Sequence, residues 1–480
     1  MPTLGEDMKN LRRFYIDGQW VEPLEPNDME VQNPATEQSV ATISMGTAAD
    51  IDLAVAAAKK AFTNYSQSSI EQRIQWLEQL LNVYLDHYYE MAVAISMEMG
   101  APITFAVEEQ ADCGSGHLIA TIDALKQYEF EQQIDSSLIR KEPIGVCGLI
   151  TPWNWPINQI ICKVAPALAT GCTMVLKPSE ISPLSAYLFS EIIDQAEIPE
   201  GVFNMVNGYG PEIGQAMAMH PNIQMLSFTG STDAGIEVAK SAATSVKRVA
   251  QELGGKSPAI IFEDTDIESA VTDTVQHIMS NTGQSCNAPS RMLVQTSIYD
   301  QVVQYAVQIA EQIAVDDPSK EGDHIGPVAS CAQYEKVQRL IQAGIDEGAK
   351  LVIGGVGRPA DLQQGYFCKP TIFAEVDNQM QIAREEIFGP VLVIIPFDGE
   401  QQAIEIANDT DYGLAAYLYT DDIERIQRVT KQLQAGSVRI NGAGHGYEIP
   451  FGGYKQSGNG REWGEYGFED FLEIKAISGL

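Results

Sequence analysis

The chain has 480 residues, of which 45% are hydrophobic and 20% are charged, a composition typical of a globular protein with two or three compact units. Its 30 basic and 65 acidic side chains give a formal net charge of −35, which repels phosphate backbones and anionic bilayers. We therefore expect no nucleic-acid partner and no membrane partner, and no apolar run reaches the ~18 residues that a membrane span needs.

The N-terminal segment 1–13 is polar and includes Glu6 and Asp7, so it lacks the apolar core of a secretory signal, and we expect a cytoplasmic protein. The seven cysteines are odd in number and include no C-x-x-C pair. They therefore predict neither a disulfide framework nor a zinc site, and we expect no bound metal.

The spacing of apolar residues predicts helices over 49–65 and 71–96, and the polar, alternating segment 127–142 predicts a protruding hairpin. Between 145 and 262, short apolar strands alternate with helices. The predicted strands are 145–151, 173–177, 202–206, 224–228 and 246–252, and the predicted helices are 157–170, 182–195, 211–219 and 233–243. This alternation predicts a parallel sheet covered by helices on both faces, an architecture typical of nucleotide binding.

The second half repeats this pattern, with predicted strands at 259–262, 291–294, 350–353 and 391–396 and a helix at 333–347. The segment 467–477 alternates again, and we expect it to pair with the hairpin of another subunit. The sequence thus predicts an α/β protein with two sheet-and-helix units and a small β element.

Cys286 lies in the motif G-Q-S-C-N, which is polar and opens with a glycine, unlike the surroundings of the other cysteines. A thiol with an ordinary pKa of ~8.5 attacks well at neutral pH only beside a positive charge or a helix terminus. A single cysteine is more often a buried small side chain than a nucleophile, so both interpretations stay open on this motif alone.

Two further motifs follow predicted strands. Glu252 opens E-L-G-G-K, and a carboxylate at the carboxyl end of a parallel strand faces the crevice where ligands bind, unless it is only a surface acid. Asn154 lies in P-W-N-W-P, a stiff turn that fixes its amide as a donor for an oxyanion, unless the indoles merely fill the core.

Other motifs suit a dinucleotide. Lys177 and Glu180 of K-P-S-E follow the second predicted strand and can reach ribose hydroxyls. The motif F-T-G-S-T-D-A-G at 228–235 has a spacing of glycines that lets a pyrophosphate lie at the N-terminus of the next helix. The motifs E-E-I-F-G-P at 385–390 and P-F-G-G-Y-K-Q-S-G at 450–458 indicate no chemistry by themselves.

In their order and spacing, these motifs resemble the aldehyde dehydrogenase superfamily from Tyr15 to Ile477, with Cys286 following Glu252 by 34 residues and Asn154 by 132. The resemblance implies a homo-oligomer, a dimer or a dimer of dimers. It implies a Rossmann-like parallel-sheet NAD-binding domain at 1–122 and 144–254, an α/β catalytic domain at 255–455, and a small β oligomerisation element at 123–143 and 456–480.

By similarity, Cys286 is the nucleophile, Asn154 and the backbone N–H of Cys286 hold the oxyanion, and Glu252 is the general base. Lys163 and Glu462 match positions that relay protons to Glu252. The implied reaction oxidises an aldehyde through a thiohemiacetal and a thioester on Cys286, which water activated by Glu252 hydrolyses. A CoA-acylating or phosphorylating enzyme is the alternative, although acylating relatives usually lack this glutamate. A non-catalytic binding or structural member would normally have lost Cys286 or Glu252.

The implied cofactor is NAD, with NADP as a secondary cofactor. The Glu180 carboxylate accepts a hydrogen bond from a ribose 2′-hydroxyl and repels a 2′-phosphate, while Lys177 offsets part of that repulsion. The resemblance places Glu386 on the nicotinamide ribose and Phe388 beside the ring. The remaining implied cofactor residues are Ile150, Thr151, Pro152, Trp153, Ser179, Gly210, Gly214, Phe228, Gly230, Ser231, Gly235 and Leu253.

The implied substrate tunnel is lined by Trp155, Asn158, Gln159, Cys162, Ser285, Asn287, His445 and Phe451, with Ser280, Tyr447 and Ile449 nearby. Several of these side chains are polar and none is an arginine. We therefore expect a neutral aldehyde that carries a hydroxyl or aromatic group rather than a dicarboxylic semialdehyde. A tunnel that admits many aldehydes is the alternative.

Overall fold

The computed structural model describes residues 10–479, so most of the polar N-terminal segment, including Glu6 and Asp7, lies outside the described residues. Within 10–479, no helix is both long and apolar enough to cross a membrane. The chain folds into two large sheets flanked by helices, a small sheet formed by the predicted hairpin and the C-terminal strand, and two further small sheets of three and two strands.

The strands, in chain order, are β1 Asn10–Leu11, β2 Phe14–Ile16, β3 Gln19–Val21, β4 Asp28–Gln32, β5 Ser39–Ser44, β6 Glu131–Ile134, β7 Ser137–Pro143, β8 Val146–Ile150, β9 Thr173–Lys177, β10 Phe203–Met205, β11 Met225–Thr229, β12 Arg248–Glu252, β13 Pro258–Ile261, β14 Arg291–Gln295, β15 Ala314–Val315, β16 His324–Ile325, β17 Lys350–Ile353, β18 Thr371–Ala374, β19 Val391–Phe397, β20 Ala415–Tyr419, β21 Ser437–Ile440, β22 Gly458–Asn459 and β23 Leu472–Ser478.

The helices are α1 Ala48–Tyr65, α2 Ile70–Asp86, α3 Tyr88–Met99, α4 Ile103–Phe105, α5 Asp112–Gln127, α6 Pro156–Thr170, α7 Leu184–Gln195, α8 Gln215–Met219, α9 Thr232–Ala242, α10 Ile267–Met279, α11 Tyr299–Gln312, α12 Cys331–Asp346, α13 Gln381–Arg384, α14 Glu400–Asn408 and α15 Ile423–Thr430. Two π-helical turns, Ala106–Gln110 and Gly210–Gly214, precede α5 and α8.

The first large sheet has eight strands in the order β22-β12-β11-β8-β9-β10-β2-β3, and the strands from β12 to β10 run parallel. Each of these five strands overlaps a strand that the sequence predicts. Ile150 pairs with Lys177 and with Phe228, so the carboxyl ends of the neighbouring strands lie level at one edge. The predicted parallel sheet is confirmed, and its carboxyl edge is the crevice where ligands bind in such folds.

The second large sheet has seven strands in the order β17-β18-β19-β14-β13-β20-β21. All neighbours are parallel except β17, which is antiparallel to β18. The sequence predicts β13, β14, β17 and β19 but not β18, β20 and β21. Four or five apolar residues suit a strand, a buried loop or a helix turn equally well, so these short strands carry no distinctive pattern.

The single helix predicted over 71–96 is two helices, α2 and α3, separated by His87. The backbone of His87 leaves the helical region (φ −102°, ψ 10°), and its ring lies 2.6 Å from Glu90 Oε2 and 3.0 Å from Gln195 Oε1. Because only one residue leaves the helix, the apolar spacing continues almost unchanged through the break. The prediction of one helix is therefore wrong.

The predicted hairpin is confirmed as β6 and β7. The sequence analysis expects this hairpin to pair with the C-terminal segment of another subunit. In the structure, β7 instead pairs with β23 of the same chain, from Leu472 with Pro143 to Ser478 with Ser137. The segment Gly464–Phe471 forms a 3₁₀ helix, so the strand begins later than predicted. Alternation alone cannot reveal that the C-terminal strand pairs with the hairpin of its own chain.

Candidate active site

The Cys286 loop is held in an unusual backbone conformation. Asn281 and Thr282 both adopt left-handed conformations (φ 51° and 56°), which cost roughly 1–3 kcal/mol each unless the surroundings fix them. Here Asn281 Nδ2 donates to the carbonyl oxygen of Asn154 at 2.9 Å, and Gln284 Nε2 donates to that of Asn281 at 3.0 Å. Gly283 also has a positive φ of 73°, and a side chain there would collide with the backbone of Gly389. The loop therefore presents Cys286 from a rigid support.

The turn that contains Asn154 contacts this loop. Asn154 is buried, and its Nδ2 donates to the carbonyl oxygen of Gln284 at 2.9 Å. The neighbouring indole of Trp155 donates from Nε1 to Ser285 Oγ at 2.8 Å. The fixed amide that the sequence predicts is therefore anchored beside the cysteine, and the indole contributes a hydrogen bond instead of only filling the core.

Gln110 is a contact that the sequence analysis missed. It is fully buried at the end of the π-helical turn Ala106–Gln110, and its Nε2 lies 3.2 Å from the carbonyl oxygen of Asn154 and 3.1 Å from Asn281 Oδ1. One side chain thus supports both segments around the cysteine. No motif marks Gln110, although π-helical turns occur often at functional sites.

Cys286 is partly exposed and lies on the wall of a cavity. Desolvation raises the pKa of its thiol well above the ordinary value, and the carboxylates of Glu386 and Glu252 raise it further. The backbone N–H groups of Cys286 and Asn287 oppose this effect. These influences on the thiol include no positively charged side chain, although one is expected beside a reactive cysteine. The resting group is therefore a thiol that needs a base.

Glu252 lies at the carboxyl end of β12 and is buried, which excludes the surface-acid interpretation. Neither of its carboxylate oxygens has a hydrogen-bond partner among residues 10–479. Burial raises the pKa of Glu252 well above its ordinary value, and the charge of Glu462 raises it further, whereas Lys163 lowers it. A carboxyl group with a raised pKa holds an accepted proton more firmly than an ordinary carboxyl group does, as suits a general base.

The E-L-G-G segment and the Cys286 loop are in direct contact. A Cβ placed on Gly255 would collide with the carbonyl oxygen of Cys286, so only glycine permits this approach. The N–H of Gly255 also donates to Glu386 Oε1 at 2.8 Å. Three motifs that lie far apart in sequence, which contain Glu252, Cys286 and Glu386, therefore meet at one place.

Lys163 and Glu462 form a buried ion pair behind this site. Burial lowers the pKa of Lys163, but the Glu462 carboxylate raises it, and the pKa lies above its ordinary value. Lys163 Nζ also donates to Thr229 Oγ1 at 2.7 Å. Glu462 further accepts from Cys162 Sγ at 3.4 Å and from Ser227 Oγ at 3.5 Å. The pair thus joins the first sheet to the C-terminal segment, and Glu462 reaches the cavity wall.

The motifs assigned to a dinucleotide gather at the carboxyl edge of the first sheet. Lys177 Nζ pairs with Glu180 Oε2 at 2.8 Å, and the ring of Phe388 packs edge-on against Trp153 with centroids 5.5 Å apart. The other residues assigned to the cofactor follow the same strand ends. Ile150, Thr151 and Pro152 end or follow β8, Ser179 follows β9, Gly210 and Gly214 follow β10, Phe228, Gly230, Ser231 and Gly235 run from β11 into α9, and Leu253 follows β12.

A cavity of about 900 Å³ opens in front of Cys286. The residues that the sequence predicts on its wall and that the structure places there are Trp155, Asn158, Gln159, Ser280, Ser285, Asn287, His445, Tyr447 and Phe451. The prediction that Cys162 lines the tunnel is wrong, because its side chain is buried against Glu462 and does not line the cavity wall. Ile449 is exposed and does not line the wall either.

The cavity wall also contains residues that the sequence analysis missed, among them Arg439, His277 and Trp463. Because Arg439 lines the cavity, the expectation of a tunnel wall without an arginine is wrong. Arg439 lies on β21, a strand that the sequence did not predict, and so its position relative to Cys286 was not apparent. Within 10–479, no group of three or more His, Cys, Asp or Glu side chains is placed to hold a metal ion.

Comparison with known proteins gives one consistent result. The model of the aldehyde dehydrogenase family matches residues 20–477. A 3-succinoylsemialdehyde-pyridine dehydrogenase from a Pseudomonas species is 55% identical over 98% of this chain and 99% of its own. A mutant of aldehyde dehydrogenase C from Pseudomonas syringae, solved with NAD⁺ and octanal, is 50% identical with a TM-score of 0.98, covering 100% of this chain and 98% of that one. An aldehyde dehydrogenase from Bartonella henselae is 48% identical with a TM-score of 0.97, covering 98% and 100%.

Proposed function

Because the chain belongs to the aldehyde dehydrogenase family, we propose that Cys286, Glu252 and Asn154 carry out its reaction, the NAD-dependent oxidation of an aldehyde to a carboxylic acid. The observation that carries this assignment is the contact of the E-L-G-G segment and the Asn154 turn with the same loop, which bears Cys286 at the cavity wall.

The first step adds the thiol to the aldehyde. Sγ of Cys286 forms a bond to the carbonyl carbon, the carbon–oxygen π bond opens, and the thiol proton passes to a base. Glu252 is the base, since its carboxylate has no competing hydrogen bond within the described part of the chain and its raised pKa favours holding the proton. The amide of Asn154 and the N–H of Cys286 donate to the oxyanion of the thiohemiacetal.

The crevice at the carboxyl edge of the first sheet fits NAD. A Cβ on Gly210 would have no atom within 4 Å, so the turn after β10 borders open space. The carboxylate of Glu386 lies against Gly254 and Gly255, just beyond the carboxyl end of β12. Lys177 and Glu180 would hold the adenosine ribose and Glu386 the nicotinamide ribose. NAD, when bound, supplies the hydride acceptor that converts the adduct on Cys286 to a thioester.

The choice between NAD and NADP rests on Glu180. Its carboxylate accepts from a free 2′-hydroxyl and repels a 2′-phosphate, and its ion pair with Lys177 leaves that ammonium less free to attract the phosphate. We therefore assign NAD as the main cofactor and NADP as a secondary one.

Hydrolysis completes the cycle. After the proton taken from Cys286 has left Glu252, the carboxylate removes a proton from water, and the resulting hydroxide attacks the thioester carbon. The carbon–sulfur bond breaks to release the acid and the thiolate of Cys286, which recovers a proton from Glu252. Lys163 and Glu462 are assigned to relay protons away from Glu252, and their charges act on its pKa in opposite directions, since Glu462 raises it and Lys163 lowers it. The presence of Glu252 supports a free-acid product over acyl-CoA.

The substrate we propose is an uncharged aldehyde that carries an aromatic or polar group. The cavity wall combines the rings of Trp155, Tyr447 and Phe451 with several amide and hydroxyl groups. The relative that is 55% identical is named for a pyridine-bearing semialdehyde, which has this character, whereas aldehyde dehydrogenase C was solved with octanal, a plain aliphatic aldehyde.

We also propose a cytoplasmic homo-oligomer, a dimer or a dimer of dimers. All seven cysteines are free thiols, as is typical of a reducing compartment. The small sheet exposes Ile134 on β6 and Ile474 on β23, and exposed apolar side chains on a sheet edge favour association. The segments 123–143 and 456–480 are the proposed contact element.

The test is a panel of aldehydes assayed with NAD for NADH and for the carbon product. We expect NADH and free acid in equal amounts, with uncharged aromatic or polar aldehydes giving the highest kcat/KM. Acyl-CoA formed when coenzyme A is added, without free acid in its absence, would support the acylating alternative instead.

A further inference from the structure

Arg439 projects from the edge strand β21 into the cavity. Its neighbours along the strand, Val438 and Ile440, pack against the core on the opposite face of the sheet, as the alternation of a strand requires. Arg439 therefore lines the same cavity as Cys286, and a strand of the second large sheet, not a loop, holds it there.

The guanidinium has no hydrogen-bond or ion-pair partner among the described residues 10–479. Its Nε is buried without a hydrogen bond, and it forms no ion pair with any residue of 10–479; its nearest described aromatic contact is the ring of Tyr417, whose centroid lies 5.7 Å from Cζ. Arg358 provides a comparison, since it also lies over a tyrosine ring but donates from Nε to the carbonyl oxygen of Gly365 at 2.6 Å. A partly buried guanidinium without an acceptor costs free energy, and a ligand can supply that acceptor.

Arg439 is connected to the reacting residue through one aromatic ring. The hydroxyl of Tyr417 donates to the carbonyl oxygen of Asn287, the residue after Cys286, at 2.9 Å. The ring of His277 packs edge-on against Tyr417 with centroids 5.0 Å apart, and burial followed by the charge of Arg439 lowers the pKa of His277 to about 4. The imidazole is therefore neutral near pH 7 and does not add positive charge to this wall.

The remaining charges on the wall decide which acceptor fits. Glu108, Glu109, Asp273 and Asp323 line the same cavity, and Asp273 already accepts from the hydroxyl of Tyr419. Glu462 lines the cavity as well, but Lys163 balances its charge. The other four carboxylates outnumber the single unpaired guanidinium and give the cavity a negative potential, which repels an aldehyde that carries its own carboxylate. An uncharged acceptor avoids this repulsion and still satisfies the guanidinium.

We propose that Arg439 is a specificity-determining residue that donates a hydrogen bond to an uncharged oxygen acceptor, such as a ketone, on the chain of an aldehyde bound to Cys286. The proposal rests on the proposed function, because it deepens the substrate class of the same cavity. It predicts a preference for keto aldehydes over alkanals of equal length, and this preference depends on the guanidinium.

The experiment compares 4-oxopentanal and 5-oxohexanal, which place the ketone at two distances, with pentanal and hexanal. In Arg439→Met, kcat/KM should fall about 10- to 100-fold for the keto aldehyde that the wild type uses better, as for loss of a hydrogen bond from a charged donor. The value for the alkanal of equal length should change by less than about threefold, since it makes no such bond. Arg439→Lys should retain part of the preference. Arg358→Met is the matched control, because it removes an arginine over a tyrosine ring outside the cavity and should leave all ratios unchanged.

Activity with the alkanals also reports that the variant is folded and separates the two hypotheses. Equal losses for keto aldehyde and alkanal in Arg439→Met, or no wild-type preference for the keto aldehydes, would overturn the role of Arg439 while the proposed function stands. A wild-type preference for succinic semialdehyde that Arg439→Met abolishes would likewise overturn it in favour of a carboxylate. Absence of NADH with every aldehyde in the wild type would instead reject the proposed function itself.

Discussion

The side-chain amide of Asn154 donates to the main-chain carbonyl oxygen of Gln284 at 2.9 Å, two residues before Cys286 in the chain. Asn281 donates to the same carbonyl oxygen at 3.2 Å, so the oxygen holds the two amides together. An amide nitrogen has two N–H donors, and we propose that the second N–H of Asn154 binds an oxyanion on the substrate.

Replacing Asn154 with alanine should therefore lower kcat by about 10²–10³-fold, the usual effect of losing one oxyanion donor. Stopped-flow measurement of NADH should show that the loss lies in the burst phase. The control is Asn222→Ala, which removes a surface amide bonded to Lys59 and should leave the burst unchanged. A full-rate burst in Asn154→Ala would remove the amide from the reaction.

Glu252→Gln tests the base. The glutamine keeps the shape but cannot accept a proton, and a general base typically contributes ~10²–10⁴-fold. Because Glu252 is proposed to accept both the thiol proton and the water proton, the variant should release about one equivalent of NADH per active site in a slowed burst and then turn over slowly, with the acyl group found on Cys286 by mass spectrometry. A burst at the full rate would restrict Glu252 to hydrolysis. The double variant Glu252→Gln with Cys286→Ala is the control and should give no burst. Normal turnover by Glu252→Gln would exclude Glu252 from the mechanism.

The Lys163–Glu462 pair should set the pH dependence. The base is active when deprotonated, so activity falls as the pH drops through the pKa of Glu252, which burial and Glu462 raise and Lys163 lowers. Glu462→Gln should therefore move the acidic limb of the kcat/KM profile to lower pH, and Lys163→Met should move it to higher pH. Shifts in the same direction would contradict this electrostatic coupling, and circular dichroism at each pH would control for unfolding.

Glu180→Ser should change cofactor preference. The substitution removes the carboxylate that repels a 2′-phosphate and frees the ammonium of Lys177, now paired 2.8 Å away. The NADP-to-NAD ratio of kcat/KM should rise about tenfold or more, which corresponds to ~1.4 kcal/mol. Lys177→Met in the same background should reverse the gain. A wild-type enzyme that already prefers NADP would show that Glu180 does not select the cofactor.

Ile134→Asp and Ile474→Asp test the assembly. Both side chains are exposed on the small sheet, at 50% and 66%, and a charge on an associating surface disfavours contact. Light scattering after size-exclusion chromatography should show a smaller oligomer for each variant. Val246→Asp places the same charge at a residue that is 93% exposed on another surface, and it should leave the mass unchanged. A wild-type protein that is monomeric at micromolar concentration would contradict the proposal.

The parallel core of the first sheet was predictable because strands buried on both faces appear as short continuous apolar runs between helices. The motifs after those strands were predictable because each lies within a few residues of a strand end. The break at His87 was not, because one non-helical residue hardly changes the apolar spacing. The partner of β23 was not either, because alternation predicts a strand and not the strand with which it pairs.

The sequence by itself determined the chemical groups and their order along the chain: a cysteine on a glycine-opened loop, a glutamate and an asparagine after strands, and the family they indicate. Only the tertiary structure decided which groups lie next to one another. Gln110 reaches Asn281 across 171 positions, and Arg439 enters the cavity from a strand with no sequence signal. The raised pKa values of Cys286 and Glu252 depend on burial and on neighbouring charges, which are set by distances in space that spacing along the chain does not record.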